Sequence, residues 1–144
     1  YSKDMQISIF SMLIMILEKN NNVILYLKPK KDIEISSFTK SIHGLTKFID
    51  SGRVKFFVVN EGERIPPYSV GMHSDLTIGF GISTAAAECC FAGKVSFHAD
   101  LTGFVNNDFA NNALGKVVFR NVPDLELAIE RQILGKGVSI DVSI

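Results

Sequence analysis

A short apolar run, Leu76 to Gly79, and a second expected strand, Val95 to His98, flank Ser83 to Phe91 (STAAAECCF), a segment whose composition is helical. Apolar runs this short suit strands buried in a sheet better than helices. Between the first run and the helix stand Gly79 and Gly81, and Gly93 follows the helix, so each element has a stop beside it. A strand, a glycine turn, a helix and a second strand in one short stretch leave few arrangements. Strands joined through a helix lie parallel, with the helix packed on one face of the sheet.

The same alternation extends along the chain. Ser2 is a candidate N-cap for a helix to about Lys19, and Asn20, Asn21 and Asn22 supply its stop. Val23 to Leu27 (VILYL) predicts a strand buried on both faces, ended by Lys28, Pro29 and Lys30. Phe38, Ile42, Leu45, Phe48 and Ile49 mark one face of an amphipathic helix over Ser36 to Asp50, closed by Gly52. A strand at Val54 to Val59 follows, then a loop at Asn60 to Pro67 and a short helix at Tyr68 to His73. Beyond the fourth strand, Ala99 to Lys116 is rich in Asn, Asp and Gly and predicts a loop. Val117 to Phe119 is a fifth strand, and Asn121 or Asp124 caps a last helix through Leu134. The tail, Val138 to Ile144, alternates apolar and polar residues and suits an edge strand or pairing with a second molecule.

This order predicts an α/β fold, a Rossmann-like three-layer α/β/α domain with a mainly parallel sheet. Such a sheet ordinarily opens on a strand, so the expectation is that a first strand is missing and precedes Tyr1. At 144 residues the chain suits one domain, and it reads as a fragment of a larger two-domain protein.

Fifteen basic and fifteen acidic side chains cancel, which leaves no general field for nucleic acid or an anionic membrane. The eleven residues from Ile7 to Leu17 are almost continuously apolar but fall short of the roughly 20 that span a bilayer. Asp4 beside Lys3, and the lack of small residues after Leu17, also fit a signal peptide poorly. A buried helix is expected, in a cytoplasmic or membrane-peripheral protein. Cys89 and Cys90 are adjacent on a helix, so they suit core positions in a reducing compartment rather than a disulfide or metal site.

Chemistry concentrates at the turn after Leu76 to Gly79. A helix N-terminus offers unpaired N–H groups and a partial positive charge that favour phosphate. Gly79 and Gly81 let the backbone come close, Ser83 and Thr84 add hydroxyls, and Glu88, one turn on, can accept from a ribose diol. The same residues also build an ordinary capped turn followed by a solvated glutamate.

The string SDLTIGFGISTAAAECCFAG, Ser74 to Gly93, resembles the C-terminal domain of GT-B glycosyltransferases: an acidic strand start, a small turn, Ser-Thr, a helix with Glu, then Gly. Similar patterns occur in bacterial surface and capsular polysaccharide biosynthesis proteins, UDP-sugar 2-epimerases and CDP-glycerol phosphotransferases. The resemblance follows element order from Leu25 to Ile133 but is specific only over Ser74 to Asp100. It implies a donor nucleotide-sugar site in which Ser83 and Thr84 contact the diphosphate, Glu88 the ribose, and Gly81 is the close-approach glycine. Phe80 departs from the more open turn of many such proteins. The resemblance also implies a cytoplasmic transferase of surface polysaccharide biosynthesis. On the same resemblance the expected substrate is a nucleotide-diphosphate sugar, with no separate cofactor or metal. It further implies an N-terminal acceptor domain outside this sequence, and an isolated domain that binds nucleotide with little turnover.

Secondary candidates lie at other expected strand ends. Lys28 and Lys30 follow VILYL where α/β ligands bind, and in the same families a basic or His-containing Pro turn lies near donor phosphates; a solvated lysine cluster is the alternative. Glu61 and Arg64 are the polar members of a loop that contacts the base in those families, or of a plain connection. His98 and Asp100 close the fourth strand and are candidates to face donor or acceptor sugar; as metal ligands they lack a third partner. An epimerase or glycerol-phosphate transferase half-site, and a non-catalytic α/β binding domain, remain the alternatives. An exposed first helix or tail would suit a partner domain or a homodimer.

Overall fold

A computed structural model describes residues 3–29, 39–57, 65–81, 83–103 and 108–135. The chain divides near residue 70 into two compact units. Both are α/β with parallel strands, which bears out the mixed α/β class and is compatible with a Rossmann-like α/β/α fold.

The first unit holds α1 (Lys3–Lys19), β1 (Leu25–Leu27), α2 (Leu45–Asp50) and β2 (Val54–Phe56). The apolar run of α1 is interior: Ile9, Met12, Leu13, Ile16 and Leu17 are all buried. Among the described residues no helix is long and apolar enough to cross a membrane. Strands β1 and β2 pair parallel, with Tyr26 opposite Lys55.

The turn between α1 and β1 is held from a distance. The Arg53 guanidinium donates to the carbonyl of Leu17 at 2.8 Å, to that of Val23 at 3.1 and 3.2 Å, and to that of Asn20. Its charge also lies 5.1 Å from the centre of the Phe48 ring. One fixed, planar cation thereby satisfies carbonyls at the end of α1 that have no helical partner.

Two expectations for this unit change. The helix foreseen over Ser36 to Asp50 is broken before Leu45, because Gly44 takes φ +85°, a left-handed conformation that helical residues avoid. Ile42 and Leu45 are still both buried, so the apolar face survives the break. Strand β1 is half-buried rather than enclosed on both faces: Ile24 and Tyr26 project to one side and stay exposed.

The helix α3 (Pro67–Met72) spans the division between the units. The second unit then runs β3 (Thr77–Phe80), α4 (Thr84–Phe91), β4 (Ser96–Ala99), α5 (Asp108–Ala113), β5 (Val118–Phe119) and α6 (Val122–Ile133). Its three strands are parallel in the order β3, β4, β5. The foreseen Ala99 to Lys116 loop therefore contains a helix. In α5 (DFANNA), Ala110 and Ala113 are buried one turn apart, and this packing outweighs the poor helix propensity of two asparagines.

Of the two possible caps for α6, Asn121 is used. Its Oδ1 accepts from the Asp124 amide at 2.9 Å, Pro123 sits in the first turn, and Leu125 and Ile129 face inward. Strand β4 is covered on both sides. Phe97 meets Phe119 edge to face on one, and α4 packs on the other through the small residues Ala86 and Cys89. The Ser2 cap, the residues 58–60 and the alternating tail lie outside the described residues.

Candidate functional site

The carboxyl end of β3 leads into the predicted turn and helix. Gly81 continues the ladder, its amide donating to the Ala99 carbonyl at 2.8 Å, and then reverses the chain with φ +73°. Gly79 serves a different purpose. A Cβ there would lie 2.5 Å from Ser83 Cβ and 3.1 Å from Ala86 Cβ, so the missing side chain is what lets α4 rest on β3. Gly79 is thus the close-approach glycine within the fold, while Gly81 supplies the turn.

Ser83 is the N-cap of α4, and its Oγ accepts from the Ala86 amide at 3.4 Å. Capping uses a lone pair of the hydroxyl and leaves its hydrogen able to donate. The amides of Thr84 and Ala85 belong to the first helical turn, which has no intrahelical acceptors. Thr84 and Glu88 are both exposed and one turn apart, so they share the solvent face of α4. A hydroxyl, two or more amides and a carboxylate therefore line one end and one side of an eight-residue helix.

His98 lies elsewhere than expected. It is fully buried on the α4 side of the sheet, opposite Gly79 in register, so it does not present its ring to a sugar in solvent. Its Nδ1 accepts the Ser83 amide at 3.2 Å, and the Phe109 ring meets it edge to face at 5.5 Å. Desolvation pushes the His98 pKa below its ordinary 6.5, opposed in part by the nearby Gly81 carbonyl.

Asp100, next on the same side of the strand, is also fully buried. Thr102 Oγ1 donates to its Oδ1 at 3.2 Å, and Arg120 Nε approaches its Oδ2 at 3.7 Å. Arg120 was not among the candidates. It directly follows β5, the carboxyl end of a strand in its own sheet, and that position was the available signal.

Lys28 belongs to the other unit, at the end of β1, and its Nζ donates to the Pro29 carbonyl at 3.3 Å. Lys30, Glu61 and Arg64 lie outside the described residues. His43 and His73 are exposed, and no group of three or more metal-binding side chains occurs among the described residues. Neither Cys89 nor Cys90 is in a disulfide; burial raises the pKa of both thiols, so they are poor nucleophiles.

No family model, curated protein or solved structure matches the chain.

Proposed function

We propose that this chain is the donor-nucleotide domain of a glycosyltransferase of surface polysaccharide biosynthesis, and that it binds the diphosphate of a nucleotide sugar at the N-terminus of α4. The observation that carries this reading is the β3–α4 junction: a left-handed glycine turn at the carboxyl end of a parallel strand, opening directly onto a capped helix. In α/β sheets that edge is where ligands bind, and the helix N-terminus favours an anion there. Ser83, Thr84 and the first-turn amides are the diphosphate donors, and Glu88 on the same helix accepts from the ribose.

In this reading the amides stabilise charge that builds on the leaving diphosphate, without a metal. The acceptor would come from a second domain, and the isolated chain would bind nucleotide without efficient turnover. A UDP-sugar 2-epimerase or CDP-glycerol phosphotransferase would use the same half-site with a different partner domain. A non-catalytic α/β domain is favoured by one observation: the Ser83 amide and one Ser83 lone pair are already committed inside the protein.

A thermal-shift titration separates these. UDP, CDP, GDP and CMP are compared on wild type and on the T84A/E88A double variant, which alters exposed side chains and should fold. At a hundredfold excess over Kd, a ligand specific to the native state adds about 2.7 kcal/mol. Stabilisation of wild type by one nucleoside diphosphate, lost in the variant, supports the donor-domain reading and names the base. No stabilisation by any nucleotide in the folded protein favours the non-catalytic domain.

A further inference from the structure

Strand β4 has an unusual interior. Phe97 and Ala99 face one side, while Ser96, His98 and Asp100 face the other, and all five are buried. A polar column beneath α4 asks for partners, and the backbone groups that face the His98 ring are the Ser83 amide, which donates to Nδ1, and the nearby Gly81 carbonyl. A backbone amide can only donate, so the 3.2 Å contact from Ser83 N makes Nδ1 the bare nitrogen. The proton of the neutral ring is then on Nε2, which has no hydrogen-bond partner among the described residues. The edge of Phe109 holds the ring plane from the α5 side.

We propose that His98 is the positioning residue of the β3–α4 turn. Its bare Nδ1 holds the Ser83 amide and so anchors the N-cap to the central strand. This anchoring fixes the direction in which the Thr84 and Ala85 amides and the Ser83 hydroxyl are offered to a phosphate. Two neighbours reinforce the hold: Gly79, opposite His98 in register, lets Ser83 approach, and the Ser83 Oγ locks the first turn through Ala86. The role requires a neutral ring, because an imidazolium would set one N–H against another. The titratable or charged groups on or next to the elements packed around the ring are Asp100 after β4, Glu88, Cys89 and Cys90 on α4, Asp108 on α5 and Arg120 after β5. None of them hydrogen-bonds either ring nitrogen.

The ligand part of this proposal rests on the diphosphate reading; the anchor belongs to the free protein and is measured without ligand. The first measurement is the His98 tautomer in the wild-type chain by long-range proton–nitrogen NMR, with hydrogen exchange of the Ser83 amide. A pyridine-type Nδ1, a pyrrole-type Nε2 and a protected Ser83 amide are expected.

The second measurement compares three variants that retain the wild-type circular dichroism. Asn places an acceptor oxygen where Nδ1 stood, Gln places its polar end near Nε2, and Leu has neither. H98N should keep Ser83 protection and bind UDP within about twofold of wild type. H98Q and H98L should lose the protection and bind about tenfold more weakly, the worth of one hydrogen bond. An Nδ1–H tautomer in wild type, or Ser83 protection equal in H98L and wild type, overturns the proposal. If wild type binds no nucleotide, the diphosphate reading fails, while the tautomer and exchange data still decide the anchor.

Discussion

Replacing Gly79 with Ala tests the packing on which the site depends. Gly79 does not have a positive φ, so alanine suits its backbone and the cost comes from space alone. The new methyl group would lie 2.5 Å from Ser83 Cβ, 3.1 Å from Ala86 Cβ and 3.2 Å from Ser83 Oγ. Carbon atoms rest about 3.5–4.0 Å apart, so the first contact is short by about 1 Å or more. Neither β-carbon can be relieved by a rotamer change, because each is fixed to the backbone of the capped helix start. Helix α4 must therefore retreat. A retreat of about 1 Å stretches the Ser83 N to His98 Nδ1 contact, now 3.2 Å, beyond hydrogen-bonding range.

Overpacking typically costs about 1–3 kcal/mol, and with two backbone-anchored neighbours about 3 kcal/mol is expected. With a urea m-value of about 2 kcal/mol/M, the unfolding midpoint should fall by about 1.5 M. Circular dichroism during urea titration measures this. G93A is the comparison: its φ is +84° with open space around the Cβ, so it carries only the left-handed penalty of about 1–2 kcal/mol. A G79A protein within about 0.5 kcal/mol of wild type, a surface-like effect, would refute this account of the turn.

The other expectations concern single side chains. R53A should destabilise the first unit by about 3 kcal/mol, since it strands several carbonyls served by a charged donor, and R53K should recover less than half because an ammonium cannot span them; urea midpoints decide. His98 contributes to pH dependence with a defined sign. Its folded pKa is below the ordinary 6.5, so its contribution is complete only well above that pH, where the unfolded ring is neutral too. As pH falls from 6.5 toward the folded pKa, the unfolded chain takes up a proton that the folded one refuses. Stability then declines with a limiting slope of about 1.4 kcal/mol per pH unit. The stability difference between wild type and H98N should thus change between about pH 7.5 and 5.5, and a constant difference would count against it. S83A should cost about 1 kcal/mol through the lost cap, whereas T84A, exposed and uncapped, should stay within about 0.5 kcal/mol; thermal unfolding without nucleotide compares them.

Much of the second unit was legible because local rules and tertiary packing agree there. Gly81 and Gly93 stand where positive φ is needed, Ser83 stands where a helix needs a cap, and alanines stand where helix and strand must approach. In the first unit the apolar spacing across residues 38–49 suggested one helix, yet Gly44 divides it. Periodicity records which side chains are buried but not whether the backbone between them is continuous. Helix α5 was missed for the converse reason: its asparagines resemble a loop, and only the burial of Ala110 and Ala113 holds it as a helix.

For the candidate site, the sequence by itself determined the turn, the cap and the exposed Thr84 and Glu88, all of which follow from contacts a few residues apart. Only the tertiary structure decided what His98 does. Its position at a strand's carboxyl end suggested a group open to ligand, but α4 and Phe109 enclose it, and an amide 15 positions away in sequence selects which nitrogen carries the proton. The pairing of Asp100 with Arg120 was hidden for the same reason. Burial and a hydrogen-bond partner on another element set a side chain's charge and direction, and neither is encoded in its immediate neighbours.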